Sequence, residues 1–213
     1  MEFSGQHENA DAAIEQARLR DEQLFQDALR IYEQQKSEWK KITSLARGIL
    51  DGEHKAYIEA LVELNPFEEI GHLGSSLHFT IHRPKVVECR LKVNGRQAIP
   101  AEVKSLTSSG KVSMKAMPKA RFHEIYQDYV CACVLRVARE VFALLPVSVI
   151  LITASADELN PRTGHIAEQP VLSVTLPRAE LSRLNFDQVD PSDAMENFVH
   201  RGDFKASRKS GAF

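Results

Sequence analysis

The chain reads as an α+β fold, and three observations carry that expectation. From Ala12 to Ile49 there is no proline and no glycine before Gly48, and strong helix formers dominate. From Leu77 to Met114 the apolar residues recur at period two, the signature of half-buried strands. Between Pro118 and Pro146 a helical period returns with an unusually wide apolar face. Together they predict a mostly antiparallel sheet packed on a long central helix. A long, coiled-coil-like helical arm precedes it at the N-terminus.

Residues 1–10 are polar and are expected to fray. Beyond them, one heptad position of the arm takes Ile14, Asp21, Ala28, Gln35, Ile42 and Ile49, and the other takes Ala17, Leu24, Ile31, Glu38 and Leu45. Three polar residues interrupt this seam, and a second stripe of Phe25, Leu29, Tyr32 and Trp39 widens it. A helix this long reaches past its own domain, so self-association is the expected use of the stripe. Asp51-Gly52 ends the helix, and Glu53–Leu64 forms a second one with Ala56, Tyr57, Ala60, Leu61 and Leu64 on its apolar face. The stretch 65–76, with Pro66 and two glycines, is the expected boundary. This gives a helical arm at 1–64, an α+β domain at 66–200 and a mobile basic tail at 201–213.

In the domain, Leu77, Phe79 and Ile81 alternate with His78, Thr80 and His82, and Val87, Cys89, Leu91 and Val93 alternate with Glu88, Arg90 and Lys92. Asn94-Gly95 predicts a tight type I′ hairpin, with a return strand over about 98–106. Pro100 marks an irregular or edge position in that strand. Ser108-Ser109-Gly110 turns into a short strand carrying Val112 and Met114. Pro118 opens the central helix and Pro146 closes it. The β-branched run Val147–Thr153 is a buried strand, and a loop with Pro161 and Gly164 leads to a strand at Val171–Leu176. Asp190-Pro191 caps a later short helix.

The 213 residues, 43% hydrophobic and 26% charged, suit a soluble globular chain, with cytoplasmic placement the expectation. Val141–Ala154 is too short and too broken by Pro146 to span a bilayer, so no membrane partner is expected. Three cysteines without framework spacing imply reduced thiols. Phosphate-loop, dinucleotide, nucleophile-elbow and zinc-ligand patterns are missing from the sequence, which disfavours those enzyme classes.

Charge is far from even. Between Arg83 and Arg121 ten Lys or Arg residues face two acids, Glu88 and Glu102, inside a chain of net charge −2. Pleat parity and the expected hairpin place Glu88, Arg90 and Lys92 beside Glu102 and Lys104. Arg90, Lys92, Lys104, Lys111 and Lys115 would then form a basic face for an acidic protein or nucleic acid. Two neighbouring carboxylates could also hold a hard divalent cation.

The phrase Ile99-Pro100-Ala101-Glu102-Val103-Lys104-Ser105 resembles the third-strand motif of the PD-(D/E)xK nuclease superfamily. That resemblance implies Glu88 and Glu102 as metal-binding acids, Lys104 as the catalytic lysine and Mg²⁺ as the cofactor, with Gln127 early on the following helix. Val87-Glu88 stands where that family usually has an aspartate, often after proline. The alternative is an amphipathic hairpin with cross-strand Glu and Lys pairs and no cofactor. His78 and His82, about 13 Å apart by strand rise, cannot share one metal, though one of them could join Glu88. A second resemblance, carried by Ser105-Leu106-Thr107, Met117-Pro118-Lys119 and Tyr126-Gln127-Asp128-Tyr129, is to an uncharacterised bacterial cytoplasmic domain family and implies no function. The expected role is a non-catalytic assembly or adaptor protein, with a metal-dependent nuclease as the alternative.

Overall fold

A computed structural model describes residues 3–72, 75–160 and 162–202, with Phe204 and Phe213. The chain divides into two compact units, Met1–Arg47 and Gly48–Phe213. The first is one helix. α1 runs unbroken over Phe3–Leu50, about 72 Å at the α-helical rise, so it extends back through the polar residues expected to fray. Its end is a Schellman cap. Glu53 N–H donates to the Gly48 carbonyl and Gly52 N–H to that of Ile49, with Gly52 at φ +77°. A side chain there would be strained, which explains why the break falls at Asp51-Gly52.

The second unit is built on a five-stranded sheet of order β1-β2-β5-β6-β7, comprising β1 (Ser76–Arg83), β2 (Val86–Lys92), β5 (Val149–Leu159), β6 (Ile166–Pro177) and β7 (Val199–Arg201). Three of the four pairings are antiparallel and β2–β5 is parallel. A parallel pair needs a crossover. Here it contains a separate two-stranded ribbon, β3 (Glu102–Leu106) and β4 (Val112–Ala116), and the central helix α4 (Lys119–Leu144). α2 (His54–Glu63) buries Ala56, Tyr57, Ala60 and Leu61. The short helices α3 (Glu68–His72) and α5 (Arg178–Leu181) complete the list.

Alternation decides which sheet face is covered. Val87, Cys89 and Leu91 of β2, Ile150, Ile152 and Ala154 of β5, and Leu172, Val174 and Leu176 of β6 are all buried, and they pair across the strands. α4 contributes Val130, Val134, Val137, Ala138 and Val141, each fully buried. Each such valine removed from water stabilises the fold by roughly 1.5–3 kcal/mol. The helix runs between its two prolines as its sequence predicts, with Pro118 as N-cap and Leu145 as C-cap.

Two expectations need correction. Asn94-Gly95 makes no hairpin: Gly95 sits at φ −68° and a 3-10 turn, Arg96–Ala98, follows. The reason is tertiary. Both edges of β2 are taken by β1 and β5, and Val93 N–H donates to the Ser155 carbonyl, so no return strand can add there. β3 pairs only with β4, and Pro100 lies in the connection before it. The domain boundary also falls earlier than expected, because α2 belongs to the second unit, contacting β1 and α4. Of the tail expected to be mobile, residues 203 and 205–212 lie outside the described residues. Phe213 sets its ring edge-on to Tyr126 at 6.1 Å and to Phe204 at 5.4 Å.

Candidate anion-binding surfaces

On the main sheet, the face away from α4 carries the polar half of each strand. Register aligns one row across all five: His78 opposite Arg90, Arg90 opposite Thr153, Thr153 opposite Ser173, and Ser173 opposite Arg201. The Thr153 and Ser173 hydroxyls are 3.1 Å apart. A shallow pocket of about 160 Å³ opens over them, lined also by Leu151, Thr175, Val199 and Arg201. Arg90 and Arg201 are exposed on either side. A guanidinium flanking two hydroxyls can donate to an anionic oxygen.

Next to this row, Glu88 is engaged. Its Oε2 lies 2.6 Å from His82 Nε2 and its Oε1 3.8 Å from Arg90 Nε. One of the two strand histidines thus meets Glu88 in an ion-pair geometry. Lys92 is neutralised too: its Nζ lies 3.0 Å from Asp157 and 3.7 Å from Glu168. The hydrogen bond to Asp157 is the main reason its pKa lies above the ordinary lysine value. Glu168 accepts a further hydrogen bond from Ser155 Oγ at 2.6 Å. Glu88 and Lys92 are thus each held by opposite charges, and Arg90, itself 3.8 Å from Glu88, keeps a side chain that is 74% exposed.

The remaining expected residues are elsewhere. Glu102, Lys104, Lys111 and Lys115 belong to the β3–β4 ribbon or its turn, and all are exposed. Glu102 faces Ala116, Lys104 faces Met114 and Val103 faces Lys115 across the ribbon. Lys104 and Lys115 thus project from opposite faces, since they belong to adjacent registered pairs. None of the three lysine ammonium groups makes an ion pair among the described residues. The structure does not bring Glu102 and Lys104 into the sheet that holds Glu88. Among the described residues no group of three or more His, Cys, Asp or Glu could hold a metal ion. Gln127 is buried on α4 rather than directed at either surface.

The ribbon turn is well defined. Thr107 Oγ1 accepts from Lys111 N–H at 3.1 Å and Gly110 takes φ +75°. Its other notable feature is apolar exposure: Leu106, Val112 and Met114 share one face and are 76%, 65% and 58% exposed.

Sequence reasoning missed Arg201, Thr153 and Ser173. Each looks ordinary in its own strand, and only the order of strands sets them beside Arg90. No protein family, curated protein or solved structure matches the chain. Among the described residues, no helix is long and apolar enough to cross a membrane.

Proposed function

We propose that the protein is a non-catalytic assembly or adaptor protein that self-associates through α1 and holds a nucleic acid by its phosphates. The observation that carries the reading is the state of the cations. Among the described residues Lys104, Lys111 and Lys115 stand without an ion pair on a ribbon, while the lysine of the sheet, Lys92, is held by two acids. An exposed two-stranded ribbon is also narrow enough to lie in a nucleic-acid major groove. Arg90 and Arg201 add a second contact for the same backbone. The open sheet face carries no Phe, Tyr or Trp among its row residues, so base stacking has no platform there and phosphate contacts dominate.

Self-association is supported by the exposed apolar stripe of α1, which includes Leu24, Ile31 and Ile42. No observation favours the nuclease alternative. It would need Glu88 released from His82 and Arg90, and Glu102 and Lys104 carried from the ribbon to the sheet.

Fluorescence anisotropy with labelled duplex DNA and single-stranded RNA over a salt series tests the reading. Affinity should fall steeply with salt, with little sequence preference. The K104E/K111E/K115E variant should lower the salt slope by about 2–3, in line with roughly 0.9 per phosphate contact. Weak or salt-independent binding to both would overturn the nucleic-acid reading, and retention of an acidic protein under the same conditions would redirect it. Mg²⁺-dependent cleavage lost in Glu102→Ala would overturn the non-catalytic reading.

A further inference from the structure

We infer that α1 pairs with the α1 of a second copy in antiparallel fashion, about a two-fold axis at Tyr32. The inference rests on the self-association reading and gives it a direction. Phe25, Tyr32 and Trp39 recur every seven residues and are 60%, 57% and 65% exposed. They occupy one flank of the seam formed by Leu24, Ile31 and Ile42. The opposite flank carries Arg20, Asp27, Gln34 and Lys41.

Pairing direction decides what meets these rings. In a parallel pair, one flank of each helix lies beside the opposite flank of its partner. Three large rings would then face charged and amide side chains, and none would be covered by another ring. An antiparallel pair brings like flanks together. With the axis at Tyr32, Phe25 of each copy meets Trp39 of the other, since both stand seven residues from the axis, and Tyr32 meets Tyr32. On the other flank the pairs centre on Gln34, so Asp27, which also pairs with Arg30 at 2.8 Å within its own helix, meets Lys41.

Long-range charge points the same way. About this axis residues 14–27 lie along residues 37–50 of the second copy; the first span contains four acids and two arginines, the second three bases and one acid. An antiparallel pair lays each acidic span along a basic span, and a parallel pair lays like on like. The helix dipoles also oppose one another only in the antiparallel case. The arrangement sets the two Gly48 residues about 48 Å apart at the α-helical rise.

Electron–electron spin-distance measurement on the full chain, labelled through Arg18→Cys, tests the pairing. Arg18 is 77% exposed and its ion pair with Glu15 is a long 3.9 Å, so the helix should tolerate the change. The native cysteines are all buried, and unmodified protein carried through the labelling gives the background. Antiparallel pairing about Tyr32 places the labels about 42 Å apart along the axis, and Gln23→Cys should give about 27 Å. Distances near the interhelical spacing of about 10 Å at both sites would overturn the direction while keeping the dimer. A monomer by light scattering at tens of micromolar would instead remove the self-association beneath it. As a second check, Lys41→Asp should weaken the dimer about tenfold and adding Asp27→Lys should restore it. Failure of that restoration in a dimer of normal fold would also overturn the pairing.

Discussion

Ser192 links two aspartates that respond to pH in opposite directions. Its Oγ lies 2.7 Å from Asp128 Oδ1 and 2.9 Å from Asp190 Oδ1, with a single proton to give. Asp190 also accepts from the backbone N–H groups of Ser192 and Asp193, so it ties down the entry to the 3-10 turn Asp193–Asn197. The bond from Asp193 N–H is the main reason its pKa is lowered from 3.8. A lowered carboxyl contributes stability above its ordinary pKa that is lost as pH falls through the native value. Asp128 is the reverse: desolvation first, then Asp190 and Glu124, raise its pKa. Its cost is present at neutral pH and disappears below pH 3.8, where both folded and unfolded forms are protonated. Thermal melts should therefore show Asp190→Ala destabilising at pH 7 by about 1 kcal/mol, with the loss shrinking toward pH 2. Asp128→Asn should raise Tm at pH 7 and leave it unchanged at pH 3. The same melts can test Gly52, where alanine at φ +77° should cost about 1 kcal/mol.

At the level of elements, the β3–β4 ribbon is a sheet of its own within the second unit. Its residues are exposed or half-buried along both strands, and it pairs with no strand of the main sheet. A two-stranded ribbon without a packed face is marginal in water. Hydrogen exchange should accordingly show the amides of 102–116 exchanging by local opening, orders of magnitude faster than those of β2 and β5. Saturating nucleic acid should slow the ribbon amides selectively. Protection equal to that of β2 in the unbound protein would mean that the ribbon is covered in solution. The buried thiols report on the opposite extreme. Burial, reinforced by Glu88, pushes the Cys89 pKa up to about 12, so this cysteine should resist alkylation at neutral pH until the sheet unfolds.

For the whole molecule, the division at Arg47/Gly48 makes a direct prediction. The second unit contains the sheet, α2, α4 and the buried core. The fragment 48–213 should therefore fold with nearly the Tm of the full chain, yet be a monomer. A fragment starting at 65 removes Tyr57, Ala60 and Leu61 from that core and should be clearly destabilised. Circular dichroism melts and light scattering on both fragments separate these outcomes.

Local pattern was enough to read α1, α2, α4, the alternation of β1 and β2 and the buried strand β5. In each, apolar period and the punctuation by Gly52, Pro118 and Pro146 agree with the tertiary environment. The clustering of basic residues was also legible, because charge is counted without knowing the fold. What the local pattern lacked was strand order. Asn94-Gly95 is a strong hairpin signal, but β2 had already spent both edges on β1 and on β5, some sixty residues away. That choice depends on burying Val87, Cys89 and Leu91 beneath α4, a long-range gain that no local turn preference reports. It removed Glu102 and Lys104 from the side of Glu88 and set Thr153, Ser173 and Arg201 beside Arg90. Tertiary structure alone also decided which cations are neutralised, since Asp157 and Glu168 reach Lys92 only across strands that are distant in sequence.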